Sequence, residues 1–152
     1  MERPKDKVET GVSDAALRAF VGYGMKRAFN VLQADLARTL EPFGLRMLTF
    51  SARSMIVENP GLRPSQLAEA LSVERANVVV YVDKLEQAGW VTRAPCPEDR
   101  RAYALQCTIA GRQVYNKAVA AVRAHDRRML DGLREVEISA VKKALARIEG
   151  LG

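Results

Sequence analysis

Few residues of this chain have side chains that could carry enzymatic chemistry. It contains one histidine, His125, and two cysteines, Cys96 and Cys107, among 152 residues. Their spacing forms no Ser-His-Asp or Cys-His constellation and no zinc-ligand pattern, and no glycine-rich phosphate loop is present. We therefore expect no enzyme activity, no metal site and no cofactor, and we interpret His125 as a residue on a helix surface.

A second set of residues carries groups that could form hydrogen bonds with the bases or phosphates of DNA. Asn can form paired hydrogen bonds with adenine, and Arg can pair with guanine or clamp a phosphate. Residues 75–88 are predicted to form a helix, in which successive residues are rotated by about 100°. Val78, Val82 and Leu85 then share the face directed at the core, with Tyr81 beside them. The residues predicted to face DNA are Arg75, Ala76, Asn77, Val79, Val80 and Lys84. A solvated helix surface is the alternative for each.

Val80 and two arginines raise specific hypotheses. An outward Val80 gains nothing in water, so we hypothesise that it packs on thymine methyl groups, with a tolerated surface valine as the alternative. Arg100 and Arg101 lie in a predicted turn, where both side chains can project into a narrow, electronegative minor groove. A solvated loop charge is the alternative for Arg100.

The elements that must position these residues follow from apolar periodicity and capping residues. Ser13, Pro64 and Thr108 are predicted to begin helices, and Gly89 to end one. The predicted helices span about 14–40, 45–58, a short stretch opened by Pro64, 75–88, 108–131 and 135–149. Strands are predicted at 90–94 and 102–107, with a turn at 95–101. The fold class is mainly α with a small β-hairpin.

Two helices joined by a tight turn and followed by a hairpin have the order of a winged helix-turn-helix, whose second helix enters the major groove. We assign residues 45–108 to this DNA-binding module within a single domain, 13–152, after a mobile tail at 1–12. Helices in 13–44 and 109–152 carry apolar stripes with little left inside the chain to cover them. We expect these helices to form a homodimer, which requires a palindromic operator. A monomer is the alternative.

Residues from Gly61 to Gly111 resemble the signature of the MarR family of transcription regulators. The most specific pieces are LAEAL, DKLEQAGWV, Asp99-Arg100-Arg101 and the T-x-x-G at 108–111. The resemblance implies an obligate dimer with recognition helices in successive major grooves. It also favours Arg101 over Arg100 as the minor-groove residue. Val79 and Val80 depart from the family, which often has a polar residue followed by Arg at these positions.

The resemblance also implies release from DNA by small anionic aromatic effectors, bound where the dimer helices meet the reader module. The candidate pocket residues are Phe20, Tyr23, Arg46 and Phe50. Core packing of the rings and solvation of Arg46 and Arg53 are the alternatives. Redox sensing is a weaker alternative, because the predicted hairpin places Cys107 opposite residue 92 and Cys96 opposite 103, too far apart to bridge.

The net charge of the chain gives little support for DNA binding by itself. The formal charge of +6 and pI near 9.6 favour an anionic partner, but residues 61–108 carry 6 basic and 6 acidic groups. Placement of individual side chains must therefore carry the DNA-binding argument. No apolar run is long enough for a membrane helix, so we expect a cytoplasmic, ligand-responsive repressor on double-stranded DNA. A winged helix used only for protein contacts is the alternative from a different class.

Overall fold

The structure, a computed structural model, describes residues 12–96 and 99–150, with the backbone alone described at 99–101. Almost all of the predicted tail, 1–12, lies outside the described residues. The chain divides into two compact units, Met1–Ala34 and Asp35–Gly152. The second unit contains the predicted reader module and both C-terminal helices.

Helices make up most of the regular structure. They are α1 (Val21–Leu40), α2 (Met47–Glu58), α3 (Pro64–Leu71), α4 (Arg75–Gln87), α5 (Ile109–Met129) and α6 (Glu135–Glu149). The strands β1 (Val91–Cys96) and β2 (Asp99–Cys107) form an antiparallel hairpin. Short 3₁₀ turns occupy Leu17–Ala19 and Glu41–Phe43. The predicted fold class, mainly α with a small β-hairpin, is confirmed.

The first helix begins later than predicted. Ser13 does not cap it: its Oγ accepts a hydrogen bond from the backbone N–H of Ala15 at 3.4 Å. A 3₁₀ turn follows, and Phe20 then adopts an extended backbone (φ −96°, ψ 126°) that interrupts helical geometry before Val21. The predicted start near residue 14 was therefore wrong. The apolar spacing continues across Phe20, and spacing does not report the conformation of a single residue.

The core of the second unit lies between α2, α3, α4 and the hairpin. Pro64 occupies the first turn of α3, where its missing N–H costs no hydrogen bond, and Gly89 ends α4 with a left-handed φ of 71°. The buried apolar cluster comprises Leu40, Leu45, Ala52, Ile56, Leu67, Ala68, Val78, Val82, Leu85, Val91, Leu105 and Ala118. It includes the three residues predicted for the core face of α4.

The hairpin is longer than predicted and its register differs. Cys107 pairs with Val91 rather than residue 92, and Pro95 pairs with Tyr103. The register then shifts between Pro95 and Cys96, so Cys96 lies opposite Asp99 and not opposite 103. Proline has no N–H for the ladder, which explains an irregularity at this point. The two strands were predicted, but the pairing of both cysteines was not.

The two C-terminal helices differ in burial. Helix α5 buries Gly111, Ala118 and His125, which lie seven residues apart and therefore on one face. Helix α6 buries no side chain within this chain. Its large exposed apolar residues are Val136, Val141, Leu145 and Ile148. None of the helices in the described ranges combines the length and the apolar character needed to cross a membrane.

Candidate DNA-binding surface

Helix α4 has one buried and one exposed face. Val78, Val82 and Leu85 are buried, and Tyr81 is half-buried beside them. All six residues predicted to face DNA are exposed, namely Arg75, Ala76, Asn77, Val79, Val80 and Lys84. Val79 and Val80 retain 44% and 48% of their accessible surface. The predicted division of the helix is correct, so these side chains are free to contact a partner.

An open groove of about 810 Å³ runs between α3 and the start of α4. Arg75 and Asn77 line it from α4, and Ser65 and Gln66 line it from the first turn of α3. The backbone N–H groups of a helix N-terminus favour phosphate oxygens. Ser65 and Gln66 were not among the predicted site residues, although Pro64 at the predicted start of α3 was a signal that could have indicated them.

The wing tip is described only in part. Because Cys96 lies opposite Asp99, residues Arg100 and Arg101 begin the returning strand close to the end of the hairpin. The side chains of 99–101 lie outside the described residues. Minor-groove contacts by Arg100 and Arg101 therefore remain predictions.

Arg93 connects the wing to the recognition helix. From β1, its Nη1 donates to the Glu86 carboxylate and its Nη2 to that of Asp83, while its guanidinium lies 5.1 Å from the centroid of the Tyr103 ring. The hydrogen bond with Asp83 is the main reason that the pKa of Arg93 is raised. This residue, which the sequence analysis missed, holds the base of the wing to the C-terminal half of α4.

The T-x-x-G motif at 108–111 joins the hairpin to α5. The Thr108 Oγ1 accepts from the Gly111 N–H at 2.9 Å and donates to the carbonyl of Gly89 at 2.8 Å. The Thr108 N–H donates to the carbonyl oxygen of Trp90 at 3.0 Å. A Cβ at Gly111 would overlap that same oxygen and lie 3.0 Å from the Cys107 Sγ. Only glycine permits this close approach of α5 to Trp90.

Arg53 of α2 does not take the solvated position that the sequence left open as an alternative. Its side chain is fully buried, with 0% exposure, rather than solvated. The guanidinium stacks 4.4 Å from the centroid of the Trp90 ring, and its Nη2 donates to the carbonyl of Gly111. Burial lowers the pKa of Arg53. Periodicity alone did not reveal this, because the covering groups come from distant parts of the chain.

The four predicted effector-pocket residues fall in different compact units. In the first unit Phe20 is exposed, and the Tyr23 hydroxyl donates to the Asp14 carboxylate at 2.8 Å, which raises the pKa of Tyr23. In the second unit Arg46 is exposed, and Phe50 is half-buried. Their assembly into one pocket stays a prediction.

The two cysteines show no sign of a reactive thiol. Both are free and half-buried, and burial raises the pKa of the Cys107 thiol, which disfavours the reactive thiolate.

His125 is not on the surface: it is 4% exposed, and its Nδ1 lies 2.7 Å from the Asp35 carboxylate. Arg128 and Arg38 also donate to Asp35. The expected surface position was wrong because packing of α5 against Asp35 covers the ring.

A two-helix reader, a hairpin wing and an exposed recognition face together define a winged helix-turn-helix regulator. A model of the MarR family matches residues 50–103. The HTH-type transcriptional repressor Rv2887 of Mycobacterium tuberculosis is 31% identical over 128 residues, which cover 84% of this chain and 92% of the relative. The chain therefore belongs to the MarR family of DNA-binding transcription regulators.

Solved structures extend this similarity to most of the chain. The transcriptional repressor CouR bound to a 23-mer DNA duplex aligns with a TM-score of 0.86 and 29% identity, covering 91% of this chain and 98% of CouR. CouR from Rhodococcus jostii RHA1 bound to p-coumaroyl-CoA aligns with a TM-score of 0.79 and 27% identity, covering 90% and 95%. Rv2887 in complex with p-aminosalicylic acid aligns with a TM-score of 0.69 and 30% identity, covering 86% and 98%.

Proposed function

We propose that this protein is a homodimeric repressor that binds a palindromic operator and is released by a small anionic aromatic effector. The observation that carries the proposal is the exposed face of α4, where Arg75 and Asn77 line the same groove as the first turn of α3. Arg75 and Asn77 can pair with bases, and Ser65 and Gln66 can hydrogen-bond to phosphate oxygens, although Glu69 and Glu74 also line the groove. DNA binding by CouR supports this use of the surface.

On this proposal Arg75 and Asn77 contact base edges or phosphates, and Val80 packs on thymine methyl groups. Ala76 and Val79 approach the major groove of the DNA without forming hydrogen bonds. Lys84 neutralises a phosphate at the far end of the exposed face of α4. Arg101, with Arg100 beside it, inserts into the flanking minor groove. The Arg93 contacts to α4 keep wing and recognition helix in one geometry, so both reach the same duplex.

Dimerisation is proposed from the apolar surfaces that the chain leaves exposed. In the first unit, Phe20, Val21, Phe29 and Val31 are exposed. In the second unit, α6 exposes four large apolar side chains and buries none. Exposed apolar surface on this scale favours association, and a two-fold dimer presents two recognition helices to symmetric half-sites. Sedimentation velocity at micromolar concentration should give twice the mass of the 16.8 kDa chain.

The effector class is proposed from two relatives. CouR was crystallised with p-coumaroyl-CoA, and Rv2887 with p-aminosalicylic acid, both of which contain an aromatic ring and an acidic group. Phe20, Tyr23, Arg46 and Phe50 are the residues predicted to form such a pocket. A cytoplasmic location accords with a regulator of transcription.

A gel-shift assay with the DNA upstream of the protein's own gene tests the proposal. We expect a complex that survives excess nonspecific competitor and weakens linearly on a log–log scale as salt rises. Arg101→Ala should weaken the complex and reduce the salt slope by about one unit. No sequence-selective complex, with proteins still captured by the winged helix, would instead favour a protein-contact module.

A further inference from the structure

Glu74 lies where the turn after α3 meets Arg75, the first residue of α4. Its carbonyl oxygen begins the helix by accepting from the N–H groups of Asn77 at 3.0 Å and Val78 at 3.3 Å. Its side chain makes no capping hydrogen bond, unlike the Thr108 hydroxyl at the start of α5. In the part of the chain that the structure describes, no hydrogen bond or ion pair holds the Glu74 carboxylate. This exposed carboxylate is therefore free to contact a partner.

The stability of α4 does not account for a glutamate at this position. Helix N-termini are capped mainly by Ser, Thr, Asp and Asn, whose short side chains reach the free backbone N–H groups. The helix dipole favours a carboxylate here, but an aspartate would gain the same and cap the helix as well. Close to phosphates, the negative charge of Glu74 also opposes the general attraction to DNA. A residue that favours neither property indicates a role in selectivity.

Glu74, Asn77 and Val80 follow one another at three-residue steps, and all three are exposed. Each step advances about 4.5 Å along the helix axis, and successive bases of a DNA strand are about 3.4 Å apart. Side chains one step apart can therefore reach neighbouring base pairs. Recognition helices contact base edges through their N-terminal residues, and Glu74 lines the same open groove as Arg75 and Asn77. Its carboxylate is thus placed among the predicted base contacts.

The chemistry of a carboxylate selects one base among the four. A carboxylate only accepts hydrogen bonds, and cytosine presents its N4 amino group in the major groove with no acceptor of its own beside it. Adenine places the N7 acceptor next to its amino group, and guanine presents the acceptors N7 and O6, which repel a carboxylate. Thymine presents a carbonyl oxygen and a methyl group. The base that matches Glu74 is therefore cytosine.

We propose that Glu74 is a specificity-determining residue, whose carboxylate accepts a hydrogen bond from the N4 amino group of a cytosine in each half-site. The inference rests on the proposed operator binding and adds a base contact to it. Repulsion between the carboxylate and the acceptors of guanine makes the position select C·G over G·C. Together with the amide of Asn77 and the methyl groups of Val80, the exposed residues of the recognition helix then distinguish cytosine, adenine and thymine.

Selection of binding sites from random DNA duplexes by the full-length protein tests this inference. Wild-type protein should enrich sites with a fixed cytosine in each half-site, and guanine at that position should weaken binding about 5- to 100-fold. Glu74→Ala should bind cytosine and guanine there alike. Glu74→Gln should prefer adenine there, because an amide pairs with the N6 and N7 atoms of adenine. Base preferences at the other positions should stay the same.

Glu69 provides the matched control, because it is an exposed carboxylate that lines the same open groove from α3 instead of the recognition helix. Glu69→Gln removes a negative charge near the DNA, so it should strengthen binding to every sequence by a similar factor. Urea unfolding followed by circular dichroism verifies that each variant is folded. Substitutions of Glu74 that also change affinity for every sequence alike, without altering base preference, would overturn the inference.

A base analogue removes the same hydrogen bond from the DNA side. Pyrimidin-2-one in place of the selected cytosine lacks the amino group that Glu74 is proposed to contact. Wild-type protein should lose about 5- to 100-fold in affinity for this DNA, whereas Glu74→Ala should lose much less. Equal losses for the two proteins would show that the amino group and the carboxylate do not interact, which contradicts the proposal.

Failure of this inference is distinguishable from failure of the proposed function. If the wild-type protein enriches no sequence from the random pool, the proposed operator binding fails, and this inference fails with it. If the protein enriches a site whose base preferences are identical for wild type and Glu74→Ala, only the role of Glu74 is overturned, and the regulator assignment stands.

Discussion

The exposed face of α4 and the seam between α2 and α5 use arginine in opposite ways. On α4, Arg75 lies in an open groove beside other exposed residues. In the seam, the Arg53 side chain is fully buried, stacked on the Trp90 ring and hydrogen-bonded to the Gly111 carbonyl. A surface that contacts a partner needs exposed side chains, whereas an interior seam needs side chains that their neighbours hold in one arrangement.

Because of this difference, substitutions in the two regions should change different properties: DNA binding for the exposed face of α4, and stability of the fold for the seam. Substitutions on the exposed face of α4 remove no internal packing, so they should change DNA binding with little effect on unfolding. Substitutions in the seam alter contacts between α2, α5 and the base of the wing, so they should change folding first.

The largest expected effect is in the seam. Gly111→Ala should lower the free energy of unfolding by about 3 kcal/mol, because the new methyl group overlaps the Trp90 carbonyl oxygen, which is backbone and cannot rotate away. Alanine's helix propensity offsets only about 1 kcal/mol of this. Urea unfolding followed by circular dichroism measures the difference.

Gly22→Ala is the matched control for Gly111→Ala, since a Cβ at Gly22 in α1 meets no atom within 4 Å. It should be neutral or stabilising by up to about 1 kcal/mol. Equal destabilisation by both substitutions would contradict the special role of the contact between Gly111 and Trp90.

The next effect is expected on the exposed face. Asn77→Ala should weaken operator binding by about 1–3 kcal/mol if its amide pairs with an adenine edge, while changing the free energy of unfolding by less than about 0.5 kcal/mol. Fluorescence anisotropy with labelled operator measures the first quantity. Gln87→Ala, which removes an exposed amide at the opposite end of the same helix, should alter neither.

A smaller effect concerns the pH dependence of stability. Hydrogen bonds from His125, and then Arg128 and Arg38, hold the pKa of Asp35 well below its usual range. A depressed pKa means that the ionised carboxylate stabilises the fold above its ordinary value near 4, and that this stabilisation disappears as the pH falls through the lower, folded-state value.

Asp35→Asn should therefore cost about 1–2 kcal/mol at pH 7 and progressively less below pH 4. Unfolding in urea between pH 7 and pH 2.5 measures the trend. Asp126→Asn, at an exposed position on α5, should keep the wild-type dependence. Parallel curves for wild type and Asp35→Asn at every pH would show that Asp35 contributes nothing through its charge.

The smallest expected effect tests the departure from the family at Val80. Val80→Ala removes two carbon atoms. It should weaken operator binding by about 0.5–1 kcal/mol, less than two fully buried methylene groups are worth, because the contact buries them only in part, and leave unfolding unchanged. Replacing operator thymines with uracil removes the methyl groups from the DNA side and should reproduce the loss for wild type but not for Val80→Ala. Unchanged affinity and sequence preference in Val80→Ala would remove the hypothesis.

Much of the reader module could be predicted because its signals are local. Pro64, Gly89 and Thr108 mark the boundaries of helices through backbone geometry, and the spacing of Val78, Val82 and Leu85 identifies the core face of α4. The break at Phe20 and the register shift at Cys96 were missed. Each depends on the conformation of one residue, which neither spacing nor residue type specifies.

The sequence by itself determined the family, the order of the elements and the face of α4 that is exposed, since all three depend on residues close together in the chain. Only the tertiary structure decided that Arg53 and His125 are buried. Arg53 meets Trp90 and Gly111, and His125 meets Asp35, across separations of tens of residues. Burial of a charged or polar side chain depends on which distant groups cover it, and the spacing of apolar residues along the chain does not identify those groups.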